Sequence, residues 1–107
     1  MRRDSRCLDL QCAEGLMRIP LADIRYLDVR HNYVTVHADR DYTVKRPLGE
    51  FEAELGDGFC RVGRAMIVNL RRIRCVGRSS VQLTDGTTLP LPRGAYEPLN
   101  RAIIDQT

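Results

Sequence analysis

Catalysis has little to start from in this sequence. It holds only two histidines, His31 and His37, and has no Gly-x-Ser-x-Gly, no glycine-rich phosphate loop and no metal-ligand spacing. Among the four cysteines, Cys7, Cys12, Cys60 and Cys75, there is no Cys-x-x-Cys pair, so a zinc knuckle is not expected. Each thiol reads as a small buried or half-buried side chain in a reducing compartment. Cys7 and Cys12 either meet across one hairpin or do not, and the spacing leaves both open. Asp28, Asp39 and Asp41 fall near His37, but carboxylates beside a turn are the ordinary explanation. The expectation is no enzyme, no cofactor, no metal and no small-molecule substrate. Long apolar runs are missing as well: Ala65 to Leu70 is far too short to span a bilayer, and Met1-Arg2-Arg3 opens on charge rather than an apolar signal core. No membrane contact and a cytoplasmic location are expected. There is no internal repeat and no tract of one residue type. With 43% hydrophobic and 29% charged residues, 107 residues suit one ordered domain, 1–107.

Acidic residues are absent from one long stretch. From Gly58 through Thr84 there are six arginines and no Asp or Glu, whereas the other 80 residues hold 11 basic and 14 acidic groups, a net −3. A chain of net +3 has therefore concentrated its positive charge, the footprint of a surface that meets a polyanion. Nucleic acid is the first partner to consider.

Short alternating segments dominate what remains. Cys7–Cys12 against Leu16–Ile19, with Ala13-Glu14-Gly15 as the turn, predicts an edge hairpin. Pro20 to Asp23 turns the chain, Ile24 to Val29 opens a strand, and Arg30-His31-Asn32 reads as a polar loop. Tyr33–His37 and Tyr42–Lys45, joined by Asp39-Arg40-Asp41, predict a second hairpin. Pro47 followed by Leu48, Phe51 and Leu55 at spacings of three and four predicts a helix. Its Glu50, Glu52 and Glu54 make a poor surface for phosphate, which places this helix behind the domain. Val62 and Met66–Val68 are strand-like, Asn69–Arg72 is a turn, and Ile73–Val76 resumes the sheet. Asp85-Gly86 between alternating segments is the strongest hairpin signal in the chain. A last helical stripe runs through Ala95, Leu99, Ala102 and Ile103, with Pro98 tolerable only in its first turn. The total is mainly β, about ten short strands with two short helices.

Several of these segments form an ordered pattern: Ile24-x-Tyr26-Leu27-Asp28-Val29-x-x-Asn32-Tyr33-Val34-x-Val36-His37, Leu48-x-x-Phe51-Glu52-x-x-Leu55, Phe59-x-Arg61-Val62-x-Arg64-x-x-Ile67-Val68-Asn69-Leu70-x-x-Ile73, and Val81-x-Leu83-x-Asp85-Gly86-x-x-Leu89-Pro90-Leu91-x-Arg93-x-x-Tyr96-x-x-Leu99. The pattern, from about residue 19 to 99, resembles the LytTR DNA-binding domain family. That resemblance implies an elongated arrangement of small antiparallel sheets whose loops, not a recognition helix, enter the major groove. It also implies a bacterial transcription regulator, the output domain of a two-component response regulator, with two protomers side by side on a direct repeat.

Carried over position by position, the resemblance points to Asn32 or Tyr33, to Arg64 and to Arg93 as contacts with bases or phosphates. Arginine suits that task because its planar fork pairs with guanine O6 and N7 or clamps a phosphate. Lys45, Arg61 and Arg71 are expected to act on phosphate mainly through their field, as are Arg46, Arg72 and Arg74. Arg93 could instead hold a carboxylate such as Asp85. Asn69 reads as a side chain satisfying a turn. This chain departs from the family in having Gly63 and Ala65 where a histidine and a serine flank the central position, and Pro92 where a serine precedes the late arginine. The alternative from a different class is a β-rich protein-interaction module whose basic face docks an acidic partner.

Overall fold

A computed structural model describes residues 6–106; the charged opening Met1-Arg2-Arg3 lies outside them. Among the described residues, ten strands form three small antiparallel sheets, with two α-helices and two short 3-10 turns. The body measures 40 × 39 × 25 Å.

Strands β1 (Cys7–Cys12) and β2 (Gly15–Pro20) pair alone as a two-stranded sheet, as the alternation predicts. Cys7 lies opposite Pro20 and Cys12 opposite Gly15, so the two thiols sit at opposite ends of β1 and do not meet. The central sheet has the order β5-β4-β3-β7-β6, built from β3 (Tyr26–Arg30), β4 (Tyr33–His37), β5 (Asp41–Val44), β6 (Phe59–Val62) and β7 (Met66–Asn69). Two features differ from expectation. Arg30 belongs to β3, opposite Tyr33, so the loop narrows to His31-Asn32. Val62 and Met66 fall on separate strands, folded back through Gly63-Arg64-Ala65. Strands β8 (Ile73–Val76), β9 (Ser80–Leu83) and β10 (Thr88–Pro90) form the third sheet, with the Asp85-Gly86 hairpin where the sequence places it.

Helix α1 (Leu48–Leu55) follows Pro47 and buries Leu48, Phe51 and Leu55; it ends at Gly56, whose φ of +80 suits only glycine well. Helix α2 (Tyr96–Gln106) holds Pro98 in its first turn and buries Leu99. Two apolar clusters result. One packs the β1–β2 hairpin and α1 against one face of the central sheet through Leu8, Leu10, Ile19, Leu27, Val36, Phe51 and Ile67. The other packs the third sheet and α2 against β6 and β7 through Val62, Val68, Val81, Leu83, Leu91 and Leu99. Strand β7 is buried on both sides, which accounts for its run of Met66, Ile67 and Val68. Asn69 ends it, fully engaged: its amide donates to Ile24 O at 2.8 Å and its Oδ1 accepts from Arg71 N–H at 3.0 Å.

Candidate nucleic-acid interface

Strand pairing decides which cations become neighbours. Arg30 lies opposite Tyr33, Val34 opposite Val44, Asp28 opposite Met66, and Val62 opposite Met66. One end of the central sheet therefore gathers Lys45, Tyr33, Asn32, Arg30 and the Gly63-Arg64-Ala65 turn along a single rim. The Val29 N–H donates to Ala65 O at 2.9 Å and fixes that turn to β3. His31 and Asn32 have φ of +52 and +70, a two-residue turn of the type I′ kind, and both residue types tolerate the left-handed region better than most. Asn32 is thus held in place by backbone geometry with its side chain exposed. Tyr33 is 49% exposed, one of few large apolar groups so open to solvent.

The third sheet adds the last member. The Pro92-Arg93-Gly94 turn between β10 and α2 lies against Gly63, with the position of a Gly63 Cβ only 2.8 Å from Pro92 Cγ. Arg93 is exposed and does not hold Asp85. That carboxylate is instead taken by Arg25, Nη1 to Oδ2 at 2.8 Å. Hydrogen bonds from Thr87 and the Arg25 charge hold the Asp85 carboxyl below its ordinary range.

Acidic residues of α1 sort the remaining arginines. Arg61 donates through Nη1 to Glu52 at 3.1 Å and through Nη2 to Arg64 O at 2.9 Å. Arg46 stacks over the Phe51 ring and bonds Glu50 at 2.9 Å and Glu54 at 2.6 Å. Burial works against the Arg46 charge, but the bonds to Glu54 and Glu50 outweigh it and its pKa is raised. Lys45, Arg30, Arg64 and Arg93 have no carboxylate partner among the described residues. The helix is not simply behind this surface. Its first residues, Leu48 and Gly49, line one cleft with Asn32, Lys45, Arg46, Arg61 and Arg64, while its acidic face turns onto Arg46 and Arg61.

Of the seven residues singled out from sequence, six therefore share this rim and cleft: Asn32, Tyr33, Lys45, Arg61, Arg64 and Arg93. Arg71 does not. It follows β7, about 13 Å of strand beyond the Arg64 turn, and faces a separate depression with Ala22, Asp57, Phe59 and Arg72. Arg72 is engaged there with Ala22 O at 2.7 Å. Arg74 and Arg78 leave on β8 and the loop after it, Arg78 stacking over Tyr96. The arginine run in the sequence is thus dispersed in space, and the rim is assembled from other segments. Arg30 is the member that sequence reading missed; its phase with Tyr26 and Asp28 was the available signal. His37 is occupied between Asp28 at 2.9 Å and Asp41 at 3.1 Å, and stacks on Tyr26.

Comparison with known proteins bears on what such a rim does. The family described as LytTr DNA-binding domain matches residues 14–104. The positive alginate biosynthesis regulatory protein of Pseudomonas aeruginosa is 33% identical over 67 residues, covering 62% of this chain and 27% of that protein. The chain thus spans about a quarter of the length of that relative. The LytTr DNA-binding domain of a methyl-accepting/DNA response regulator from Bacillus cereus superposes with a TM-score of 0.77 at 24% identity, over 92% of this chain and 96% of that one, and so shares the fold. No helix among the described residues is long and apolar enough to cross a membrane.

Proposed function

Because the chain belongs to the LytTr DNA-binding domain family, whose members bind DNA and are not enzymes, we propose that its rim reads a specific double-stranded sequence to regulate transcription. Arg64 and Arg93 read base edges while also neutralising phosphate, and Lys45 and Arg30 bind flanking phosphate. Asn32 and Tyr33 lie between them, where a second strand contact falls. The polypeptide acts in the cytoplasm as the output domain of a two-component response regulator, with two protomers on adjacent major grooves of a direct repeat.

The observation that carries this reading is the rim itself. Four cations from four separate segments converge on one end of a sheet without carboxylate partners among the described residues. Their positions are set by hairpin turns anchored in two cores. Phosphate contacts fix register and base contacts supply sequence preference, and arginines on rigid turns serve both.

Selection from a random duplex pool tests the proposal, run with the wild type, Arg64→Ala and Arg93→Ala at one salt concentration. Recovery of a repeated motif whose preference fades in either variant is the expected result. Folded protein that enriches no motif would favour an acidic protein partner for the same face.

A further inference from the structure

The two turns that carry Arg64 and Arg93 belong to different sheets, and no strand pairing joins them. They meet at Gly63 and Pro92. Gly63 has a φ of +67, and a Cβ built on it would lie 2.8 Å from Pro92 Cγ and 3.5 Å from Pro92 Cβ. The group in the way is a pyrrolidine ring, which cannot swing aside as a flexible chain end does. Beneath the contact, Val62, Leu91 and Leu99 share one buried core. Gly63, Gly94, Ala95 and Pro98 line a small cleft between the turns. Pro92 is also held from both sides in sequence: Leu91 N–H donates to Ser79 O at 3.0 Å, and Ala95 N–H donates to Pro92 O at 3.1 Å.

Resting on the DNA-binding reading, we infer that Gly63 and Pro92 are a matched pair of positioning residues whose contact locks the Arg64 turn to the Arg93 turn, so that both arginines engage one DNA site as a unit. The sequence presents these two positions only as polar groups lost from a familiar pattern. In three dimensions each explains the other: the proline ring fills the space that any side chain at 63 would need. A residue with a Cβ there must adopt a strained left-handed backbone and also push the 92–94 turn outward, taking Arg93 with it. The rim keeps all its charges in that event. The loss therefore falls on discrimination between sequences and spares the general attraction to phosphate.

The test compares wild type, Gly63→Ala and the double variant Gly63→Ala/Pro92→Ala by fluorescence anisotropy, on the duplex recovered by selection and on a scrambled duplex, with the Tm of each protein. Gly63→Ala is expected to weaken binding to the selected duplex about tenfold, the size of one good base contact, and to leave the scrambled duplex nearly unchanged. Adding Pro92→Ala restores part of that loss, although the backbone strain introduced by Gly63→Ala persists. Equal losses on both duplexes, or no recovery in the double variant, overturn the inference. If Gly63→Ala does not fold, Pro92→Ala alone decides. In the wild-type background the affinity losses of Arg64→Ala and Arg93→Ala combine to less than their product, and with Pro92→Ala they multiply; simple multiplication in both backgrounds refutes the lock. A wild type without preference for any duplex removes the DNA reading as well, whereas a discriminating wild type matched by Gly63→Ala removes only this inference.

Discussion

Salt dependence offers a direct count of the cations that meet DNA. The structure separates arginines already neutralised by carboxylates, such as Arg46 and Arg61, from four rim cations with no carboxylate partner among the described residues: Arg30, Lys45, Arg64 and Arg93. Each phosphate neutralised releases condensed counterions and contributes about 0.9 to the slope of log K against log salt, so four contacts give a slope of about −3.6 per protomer. Raising salt from about 50 to about 200 mM then weakens binding about 150-fold. Removing one such contact with Lys45→Ala brings the slope to about −2.7 and the loss to about 40-fold. Arg71→Ala removes an equal charge at the opposite end of β7 and is expected to leave the slope unchanged. Anisotropy titrations of a single-site duplex at five or more salt concentrations measure all three proteins. If Arg71→Ala flattens the slope and Lys45→Ala does not, the rim is not the surface that faces the phosphates. A wild-type slope of about −5.4 would mean that Arg46 and Arg61 abandon their glutamates for DNA.

Further outcomes follow from individual contacts. Arg61→Ala removes the bonds to Arg64 O and Glu52; its side chain is 31% exposed and its buried Nε has no partner among the described residues, so the expected stability loss in urea is only about 1 kcal/mol. Specific DNA affinity should fall further than that stability loss explains, because the Arg64 turn loosens, and unchanged affinity would refute the supporting role. Phe51 is fully buried and also carries the Arg46 guanidinium on its ring, so Phe51→Ala should cost about 3–5 kcal/mol in urea unfolding. The Asp85 carboxyl has its folded pKa lowered, by Thr87 first and then by Arg25, so its contribution to stability is present above the unfolded value of about 3.9 and disappears as pH falls through the lower folded value. Asp85→Asn should therefore weaken the protein at neutral pH and flatten its acid-unfolding limb; an unaltered pH profile would contradict this. Burial and then the Glu52 charge push the Cys60 thiol up, so iodoacetamide near pH 8 should label exposed Cys75 well before Cys60.

Local alternation made much of the fold legible. The β1–β2, β4–β5 and β9–β10 hairpins each follow from a period of two around a turn signal, and α1 follows from Leu48, Phe51 and Leu55. The fold back at Gly63-Arg64-Ala65 was harder to see, because β7 is apolar on both faces and merges with Val62 into one apolar run. Pairings between distant segments left no local trace at all. Leu27 faces Ile67 across 40 residues of chain, and that pairing is what sets Arg30 and the Arg64 turn on the same rim.

Charge density along the chain was correspondingly a poor map of charge in space. The run from Gly58 to Thr84 crosses the sheet on β7, so its arginines emerge at opposite ends: Arg64 at the rim, Arg71 and Arg72 away from it. Acidic residues then decide which cations stay available. From sequence, Glu50, Glu52 and Glu54 suggested a helix kept away from phosphate; in the fold they occupy Arg46 and Arg61 beside the rim and leave Lys45 and Arg64 open. The helix thus restricts the accessible positive charge to a narrow set of positions. A narrow set on rigid turns favours one register on a duplex over diffuse attraction along it, because displaced registers lose contacts that no neighbouring cation replaces.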